Sequence, residues 1–370
     1  MDVAAGLAPG SVIGGKYRLT RQLGQGRASE VWAGEDVSNG QGIAVKLLSG
    51  ALATNREYVE RFKREAQVLA ALRNPYIVHV HDHGQTPEGL LFAAMDLLEG
   101  ETLQRRLEAK GPFDPTEACA LLDQILDALA AAHRVGVVHR DMRPENIMLA
   151  ADARGRATIK VMDFGAAGID AGKGKQLTVA GAMLGIPQYA APEQLRNEKT
   201  DARTDLYSVG CLAYALVAGE PPFSDPSPVK VMMAQMRDPP PPIRQRRPGV
   251  SLPGGFEDWI LIAMAKNPDE RFGDASAMRD QLRRIVAGQG LSVSVPKPAA
   301  APAPAAALPA QAPRQAPAPA TRGAAAPAEA RAAAHVVVPE PAAASAGSWK
   351  VIAVAAVAVV VVLVALLALR

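Results

Sequence analysis

The chain has 370 residues, a formal net charge of +3 and two cysteines, Cys119 and Cys211. This length can bury a sizeable core, whereas the near-balanced charge and the lack of a basic stripe argue against a nucleic-acid partner. Two cysteines far apart in sequence exclude a disulfide-rich scaffold and indicate reduced, buried thiols. The first ten residues have no basic segment followed by an apolar run, so we expect no cleaved signal peptide.

Short strand-like runs follow an N-terminal extension, residues 1–16. The runs YRLTRQL, EVWAGED and GIAVKLL lie within residues 17–48, separated by glycine, asparagine and serine. This pattern predicts a three-stranded antiparallel meander. Residues 56–72 then place apolar side chains at helical spacing with charges on the other face, and two further strand-like runs lie within residues 76–98.

The pattern becomes helical from residue 114 onward. Asp114 as N-cap, Pro115 in the first turn and Glu117 three positions after the cap are typical of a helix start, and Gly136 is placed to end this helix. Further helices are predicted over residues 202–218, 228–237, 255–266 and 274–287. Strands in front and helices behind predict an α+β protein of two lobes.

The C-terminal part of the chain differs in composition. Residues 295–348 are dominated by alanine and proline and cannot bury a core, so we expect a disordered tether, with a PxxP-type docking site as the alternative. Residues 351–369 are uniformly apolar and would span roughly 28 Å as a helix, about one hydrocarbon thickness. A buried core helix is the alternative, but a tether leaves it nothing to pack against. We predict a single transmembrane helix.

The flanks of this helix indicate its orientation. Trp349 and Lys350 stand at one end and Arg370 at the other, as at membrane interfaces. The basic residues of the linker favour keeping the N-terminal side in the cytoplasm. We therefore expect a single-pass anchor in the cytoplasmic membrane, with the C-terminus at the far face and no extracellular sensor domain.

The first chemical motif is Leu23-Gly24-Gln25-Gly26, at a strand–turn–strand corner. Glycines there would let backbone N–H groups approach a phosphate, although such a pair is more often structural. Lys46 ends the apolar run IAVK, and Glu65 on the following helix could pair with it. Considered alone, a lysine at the end of an apolar strand normally extends its ammonium group into solvent.

The second group of motifs lies in the helical half. In the stretch HRDMRPEN, residues 139–146, Asp141 could accept a proton from an attacking hydroxyl and Asn146 could hold a metal ion. Asp163 follows the strand-like run TIKVM and precedes a phenylalanine and a glycine. A carboxylate at the end of a strand suits Mg²⁺ ligation.

Together, the order and spacing of these motifs resemble the eukaryotic-like serine/threonine protein kinases of bacteria. The resemblance covers residues 17–288 and includes Ala-Pro-Glu at 191–193. It implies the bilobal kinase fold, with the N-lobe at 17–96 and the C-lobe at 99–288. It also implies ATP as phosphoryl donor, Mg²⁺ or alternatively Mn²⁺ as metal, and serine or threonine hydroxyls of proteins as acceptors.

The resemblance assigns roles to particular residues. Lys46 would hold the α- and β-phosphates and pair with Glu65, Asp141 would be the catalytic base, and Asn146 and Asp163 would bind Mg²⁺. Two structural roles are implied as well: Asp205 would brace the loop 139–146, and Arg271 would pair with Glu193. The residues implied to contact the nucleotide are Leu23, Gly24, Gln25, Gly26, Val31, Ala44, Lys46, Met95, Asp96 and Leu98.

Two positions depart from the family pattern. Arg143 stands where the family has a lysine that contacts the transferring phosphate, and Ile186 stands where a threonine normally hydrogen-bonds the base. An unsatisfied polar partner costs about 1–3 kcal/mol, which would slow the reaction about 10- to 100-fold. We expect a slow kinase in which Arg143 compensates for Ile186. The alternatives are a pseudokinase that binds nucleotide or partners, and a kinase of small molecules.

Regulation is also implied by the resemblance. Arg140 precedes the base and often pairs with a phosphorylated activation loop in this family. Thr178 is our candidate autophosphorylation site, because the other hydroxyl between Asp163 and Glu193 is that of Tyr189, where an aromatic is usually packed. An ordinary loop threonine is the alternative. Association of Val/Ala-rich membrane helices could form a homodimer.

Overall fold

A computed structural model describes residues 7–25, 29–48, 56–151, 157–164 and 187–292. The first part of the chain forms an antiparallel sheet whose strands follow the order β1-β2-β3-β4-β6-β5. Its elements are β1 (Val12–Ile13), β2 (Tyr17–Gln25), β3 (Ser29–Asp36), β4 (Gly42–Leu48), α1 (Arg56–Ala71), β5 (Val80–Gln85) and β6 (Leu91–Asp96). The predicted meander of β2, β3 and β4 is confirmed.

Residues before position 17 also belong to this sheet. Val12 pairs with Arg18 and Ile13 with Tyr17, and Gly10 donates its N–H to the carbonyl of Leu19 at 2.8 Å. The folded lobe therefore begins earlier than the boundary at residue 17 that the sequence suggested. The two-residue strand β1 is too short to show an alternation of apolar and polar residues, so the sequence pattern did not predict it.

The two faces of the sheet pack differently. Ile43, Val45 and Leu47 of β4 alternate with their neighbours and pack with Leu19 and Trp32 in one buried cluster. On the opposite face, Leu48 of β4 packs with Leu91 of β6 against Val59 and Phe62 of α1. Because side chains alternate between faces along a strand, Ala44 and Lys46 lie on the face that also carries Leu48.

The second part of the chain is helical around one long buried helix. Its helices are α2 (Leu103–Lys110), α3 (Pro115–Arg134), α4 (Pro192–Leu195), α5 (Ala202–Ala218), α6 (Pro228–Arg237), α7 (Ile243–Arg246), α8 (Phe256–Ala263) and α9 (Ala275–Val286). A small sheet, in the order β7-β8-β9, consists of β7 (Glu101–Thr102), β8 (Ile147–Ala151) and β9 (Ala157–Val161). Helix α5 is buried along nearly its whole length, as expected of a central helix. The bilobal α+β architecture follows.

The predicted signals at the ends of α3 are present. The Asp114 carboxylate accepts the N–H of Thr116 at 2.8 Å, Pro115 occupies the first turn, and Gly136 has a φ of 78° just beyond the C-cap. Only glycine adopts that conformation without strain, which is why it ends helices so often.

The C-terminal predictions concern residues outside the described ranges. Neither the Ala/Pro tether at 295–348 nor the apolar segment at 351–369 is among the residues that the structure describes. Within the described ranges, no helix is both long and apolar enough to cross a bilayer. The membrane anchor remains a prediction.

Candidate active site

The sheet brings several predicted nucleotide contacts onto one face. Gly24 lies opposite Val31, Val31 opposite Lys46, and Ala44 opposite Met95 in the strand register. Directly opposed residues share a face, and so do residues two apart on one strand, so these five side-chain positions form one continuous surface. Leu23 and Gln25 lie on β2 beside it, whereas Gly26 falls outside the described residues.

The segment from Asp96 to Leu98 follows this surface in the sequence: Asp96 ends β6, and Leu98 lies in the connection to the helical lobe. The Asp96 carboxylate accepts the backbone N–H of His79 at 3.2 Å and contacts Nε2 of His81 at 2.8 Å. The backbone N–H of Asp96 also donates to the His79 carbonyl at 3.0 Å, so both its side chain and its N–H are engaged with the segment that leads into β5. Further along, Gly100 has a φ of 140°, and a Cβ there would lie 2.2 Å from the carbonyl oxygen of Leu149, so only glycine fits where this connection crosses β8.

The two lobes meet in an ion pair. Nζ of Lys46 lies 2.7 Å from Oδ1 of Asp163, and the attraction of that ammonium group holds the pKa of Asp163 below its ordinary value despite burial. Asp163 also has a φ of 58°, a strained conformation for a non-glycine residue. The side chain of Glu65 lies outside the described part of the chain, so its predicted pairing with Lys46 remains a prediction.

Asp141 and Asn146 are joined directly. The Asn146 amide donates from Nδ2 to both the carbonyl oxygen and the Oδ2 of Asp141, each at 2.8 Å. This orientation leaves the amide oxygen to act as a ligand. The Asn146 carbonyl accepts the N–H of Met162 at 2.9 Å, which fixes the neighbouring Asp163 beside it. An amide oxygen and a carboxylate are the hard donors that Mg²⁺ takes, so the residues fit the expected metal.

Asp205 of α5 fixes the loop 139–146 by accepting hydrogen bonds from its backbone. This fully buried carboxylate accepts the backbone N–H groups of His139 at 2.8 Å and Arg140 at 2.7 Å, and it also contacts Nε2 of His133 at 2.7 Å. Arg140 has a φ of 66°, a conformation that needs such support. The bracing contact implied for Asp205 is confirmed.

His139 was not recognised from the sequence as part of the site. Its ring is fully buried, accepts the N–H of Asp141 at Nδ1 (3.2 Å) and donates from Nε2 to the carbonyl of Met162 (2.8 Å). The ring centroid lies 4.7 Å from that of Phe164. His139 therefore ties the base to the residues that flank Asp163. Its position two residues before the base was the available signal.

The two departures from the family pattern are placed differently. Nε of Arg143 lies 3.4 Å from Oε2 of Glu145, so its guanidinium group is shared with a carboxylate of the same loop. The charge of Arg143 also helps to lower the pKa of Asp163, after the larger effect of Lys46. Ile186 and Thr178 lie outside the described residues, and their predicted roles remain untested.

In the helical lobe, Glu193 and Arg271 form a buried pair. Nη1 and Nη2 of Arg271 each lie 2.8 Å from one carboxylate oxygen of Glu193, and both side chains are almost fully buried. Burial alone would raise the pKa of Glu193, but the hydrogen bonds and charge of Arg271 outweigh it and leave this pKa lowered. The predicted pair is confirmed. Next to it, Gln194 donates to the Arg140 carbonyl at 2.8 Å, which links this segment to the loop of the base.

These features define the class of protein. Residues 17–282 match the model of the protein kinase domain, and the chain therefore belongs to the protein kinase family. Members of this family use ATP and Mg²⁺.

The relatives narrow the class further. The serine/threonine-protein kinase PknB of Mycobacterium tuberculosis is 39% identical over 282 residues, 75% of this chain and 44% of that protein. The serine/threonine-protein kinase pkn3 of Myxococcus xanthus is 36% identical over 278 residues, 75% of this chain and 51% of that protein. The chain thus spans about half the length of these relatives. The crystal structure of the M. tuberculosis PknI kinase domain superimposes with a TM-score of 0.60 at 28% identity, covering 76% of this chain and 100% of that one.

Proposed function

We propose that the protein transfers the γ-phosphoryl group of ATP to serine or threonine hydroxyls of other proteins. One observation carries the proposal: the amide of Asn146 is bonded to Asp141, and the backbone of Asn146 is bonded to Met162, so the base and both metal-ligand candidates form one unit. Lys46, on the sheet of the other lobe, is joined to this unit by its ion pair with Asp163. Phosphoryl transfer requires positioning and charge neutralisation of this kind.

The chemistry assigned to these residues is a single displacement. The acceptor oxygen bonds to the γ-phosphorus as the bond to the β–γ bridging oxygen breaks, the hydroxyl proton passes to the Asp141 carboxylate, and ADP leaves. Lys46 and Arg143 supply positive charge to the phosphates. Asn146 and Asp163 would hold Mg²⁺, which neutralises phosphate charge when bound. Mn²⁺ is an alternative because it takes the same oxygen ligands.

The test uses the full chain with Mg²⁺, γ-labelled ATP and myelin basic protein. Asp141→Asn and Lys46→Met should each abolish incorporation of label, whereas Asp258→Asn, the same chemical change at an exposed position of α8, should leave it intact. Label that survives in both site variants would refute the assignment. Wild-type protein that binds ATP but transfers no label would instead be a nucleotide-binding interaction module.

We also propose a location. The uninterrupted apolar segment 351–369 and the Ala/Pro tether before it would anchor the folded domain to the bacterial cytoplasmic membrane, on its cytoplasmic side. Fractionation of cells tests this. The full chain should sediment with membranes and resist a carbonate wash, and a variant without residues 351–370 should become soluble. A full chain released by carbonate would contradict the proposal.

Autophosphorylation is proposed at Thr178, with Arg140 to meet the added charge. Mass spectrometry of active protein should find phosphate at Thr178 and none in Asp141→Asn. An unmodified Thr178 in active protein would remove this site. A homodimer through the membrane helices would be detected by cross-linking in vesicles, and it should disappear without residues 351–370.

A further inference from the structure

A buried hydrogen-bond chain runs through the helical lobe toward the segment 187–191. Its centre is Gln235 of α6, which is fully buried. The amide donates from Nε2 to the carbonyl of Gln188 at 2.5 Å and to that of Pro187 at 3.3 Å. A fully buried amide that meets backbone carbonyls of a distant segment fixes that segment, because an unpaired group at either end would be costly.

The other end of the Gln235 amide is held as well. Its Oε1 accepts the hydroxyl of Tyr207 on α5 at 2.5 Å, and the Tyr207 oxygen accepts from Nζ of Lys266 at 2.8 Å. Tyr207 is fully buried, and Lys266 lies 4.9 Å from the ring centroid of Phe223. Every donor along the chain therefore points toward Gln188. The orientation of the Gln235 amide is set by its neighbours.

The segment 187–191 faces the loop of the base. Ser208 of α5 donates to the Tyr189 carbonyl at 2.8 Å, and Ala191 donates its N–H to Oε1 of Gln194 at 3.0 Å. The same Gln194 donates to the carbonyl of Arg140 at 2.8 Å. The segment thus joins the loop 139–146 from the helical lobe, whereas Lys46 approaches from the sheet lobe, where the nucleotide surface lies. Because the nucleotide surface lies on the sheet, we place the protein acceptor on the helical-lobe side, beside the segment 187–191.

We infer that Gln235 is a positioning residue for the protein acceptor, acting through the segment 187–191. This inference rests on the proposed function, since it names the part of the site that receives the hydroxyl-bearing chain. Because Gln235 is fully buried, its side chain is not available for contact with ATP or with the acceptor. Its removal should therefore loosen the segment and weaken acceptor binding while ATP binding is unchanged.

Gln235→Met and Gln235→Glu test the inference. Methionine removes both hydrogen-bonding functions, and glutamate keeps the shape but turns an acceptor toward the two carbonyls. Val231→Ala is the control. Val231 is a buried residue of the same helix, and its apolar side chain takes no part in the hydrogen bonds that link Lys266, Tyr207, Gln235 and Gln188. All variants are made in the full chain.

The first readout is hydrogen–deuterium exchange in a peptide spanning residues 187–195. Exchange should rise about tenfold in both Gln235 variants and stay near the wild-type rate in Val231→Ala. The second is steady-state kinetics: KM for myelin basic protein should rise about tenfold, with KM for ATP within about twofold of wild type.

The outcomes distinguish a failure of the inference about Gln235 from a failure of the proposed function. Exchange in both Gln235 variants equal to that of Val231→Ala overturns the inference, whatever the kinetics. A parallel rise of both KM values also overturns it, since the effect would then be a general loss of structure. Wild-type protein that transfers no label refutes the proposed function and the acceptor role with it, while exchange still decides whether Gln235 holds the segment.

Discussion

Arg143 and Glu145 form an ion pair within the loop of the base, with Nε and Oε2 3.4 Å apart. The guanidinium group therefore has a neighbouring carboxylate as one partner, and its remaining donors are left for a phosphate. Because arginine has five donors, it can meet both partners at once, which a lysine ammonium does less well. This arrangement is consistent with our hypothesis that Arg143 offsets the missing hydroxyl at position 186.

The first prediction follows from that hypothesis. Ile186→Thr should raise the turnover number little or lower it while Arg143 is present, because the donors of Arg143 already serve the base side of the site. Single-turnover rates with saturating ATP measure this. An increase of about tenfold or more in the presence of Arg143 would mean that the hydroxyl was simply missing.

Asp205 should be indispensable to the fold of the loop 139–146. Asp205→Ala leaves two buried backbone N–H groups without an acceptor, so the free energy of unfolding should fall by about 2–6 kcal/mol, and phosphoryl transfer should fall at least tenfold. Asp205→Asn keeps one acceptor oxygen and should lose less. Urea denaturation compares the two variants, and equal losses would show that the hydrogen bonds do not matter.

Removing one partner of the Glu193–Arg271 pair should destabilise the fold strongly, whereas replacing both partners by apolar residues should destabilise it less. Arg271→Met strands a buried carboxylate and should lower the free energy of unfolding by about 3–5 kcal/mol. The double variant Glu193→Leu with Arg271→Met removes both charges and should recover at least half of that loss. Denaturant midpoints of the three proteins provide the measurement, and a double variant less stable than Arg271→Met would contradict the argument.

Lys266 should make stability depend on alkaline pH. Burial lowers the pKa of Lys266 from 10.5 to about 8 in the folded protein. The unfolded chain then binds more protons between about pH 8 and 10.5, so the free energy of unfolding rises with pH across that window. The rise from pH 7.5 to 9.5 should be on the order of 2 kcal/mol larger in wild type than in Lys266→Met.

Comparison with Lys266→Met is needed because both cysteines act in the opposite direction. Burial raises the pKa of Cys119 and of Cys211 to about 12, which removes stability as the unfolded thiols ionise. The contribution of Cys119 is the same in both proteins and cancels in the difference. The Lys266 charge lowers the pKa of Cys211, so Lys266→Met raises that pKa further, and a Lys266→Met, Cys211→Ser pair compared with Cys211→Ser isolates the lysine. Identical pH dependence of the two proteins would mean that Lys266 is not buried as an ammonium group.

Local signals predicted the helices well. Helices α5 (Ala202–Ala218) and α6 (Pro228–Arg237) have the expected bounds, since a cap or a proline marks each start and glycine or a change of polarity follows each end. Helix α8 is shorter than expected, Phe256–Ala263 instead of 255–266. Residues 264–266 leave the helix ahead of a short 3₁₀ turn at Pro268–Glu270.

The site was predicted where a motif is contiguous, and a long-range contact was predicted only where the family resemblance supplied it, as for Asp205 and for the Glu193–Arg271 pair. Asp141 and Asn146 lie in one short stretch, so their proximity could be inferred directly. Four side chains that bond backbone atoms or carboxylates far along the chain were not recognised: those of His133, His139, Gln194 and Gln235. A histidine or glutamine in a helix or loop carries no local sign of such a partner. Those contacts depend on the packing of whole elements.

The strand β1 has a practical consequence for how this domain is produced. Residues 10–13 cover the backbone of β2 over Tyr17–Leu19, with Gly10 and Ser11 hydrogen-bonded to Leu19. A protein started at residue 17, where the family match begins, would expose those N–H and C=O groups as an open sheet edge. Open edges recruit strands from other molecules. Expression from residue 7 or earlier should therefore give the better-behaved, monodisperse domain.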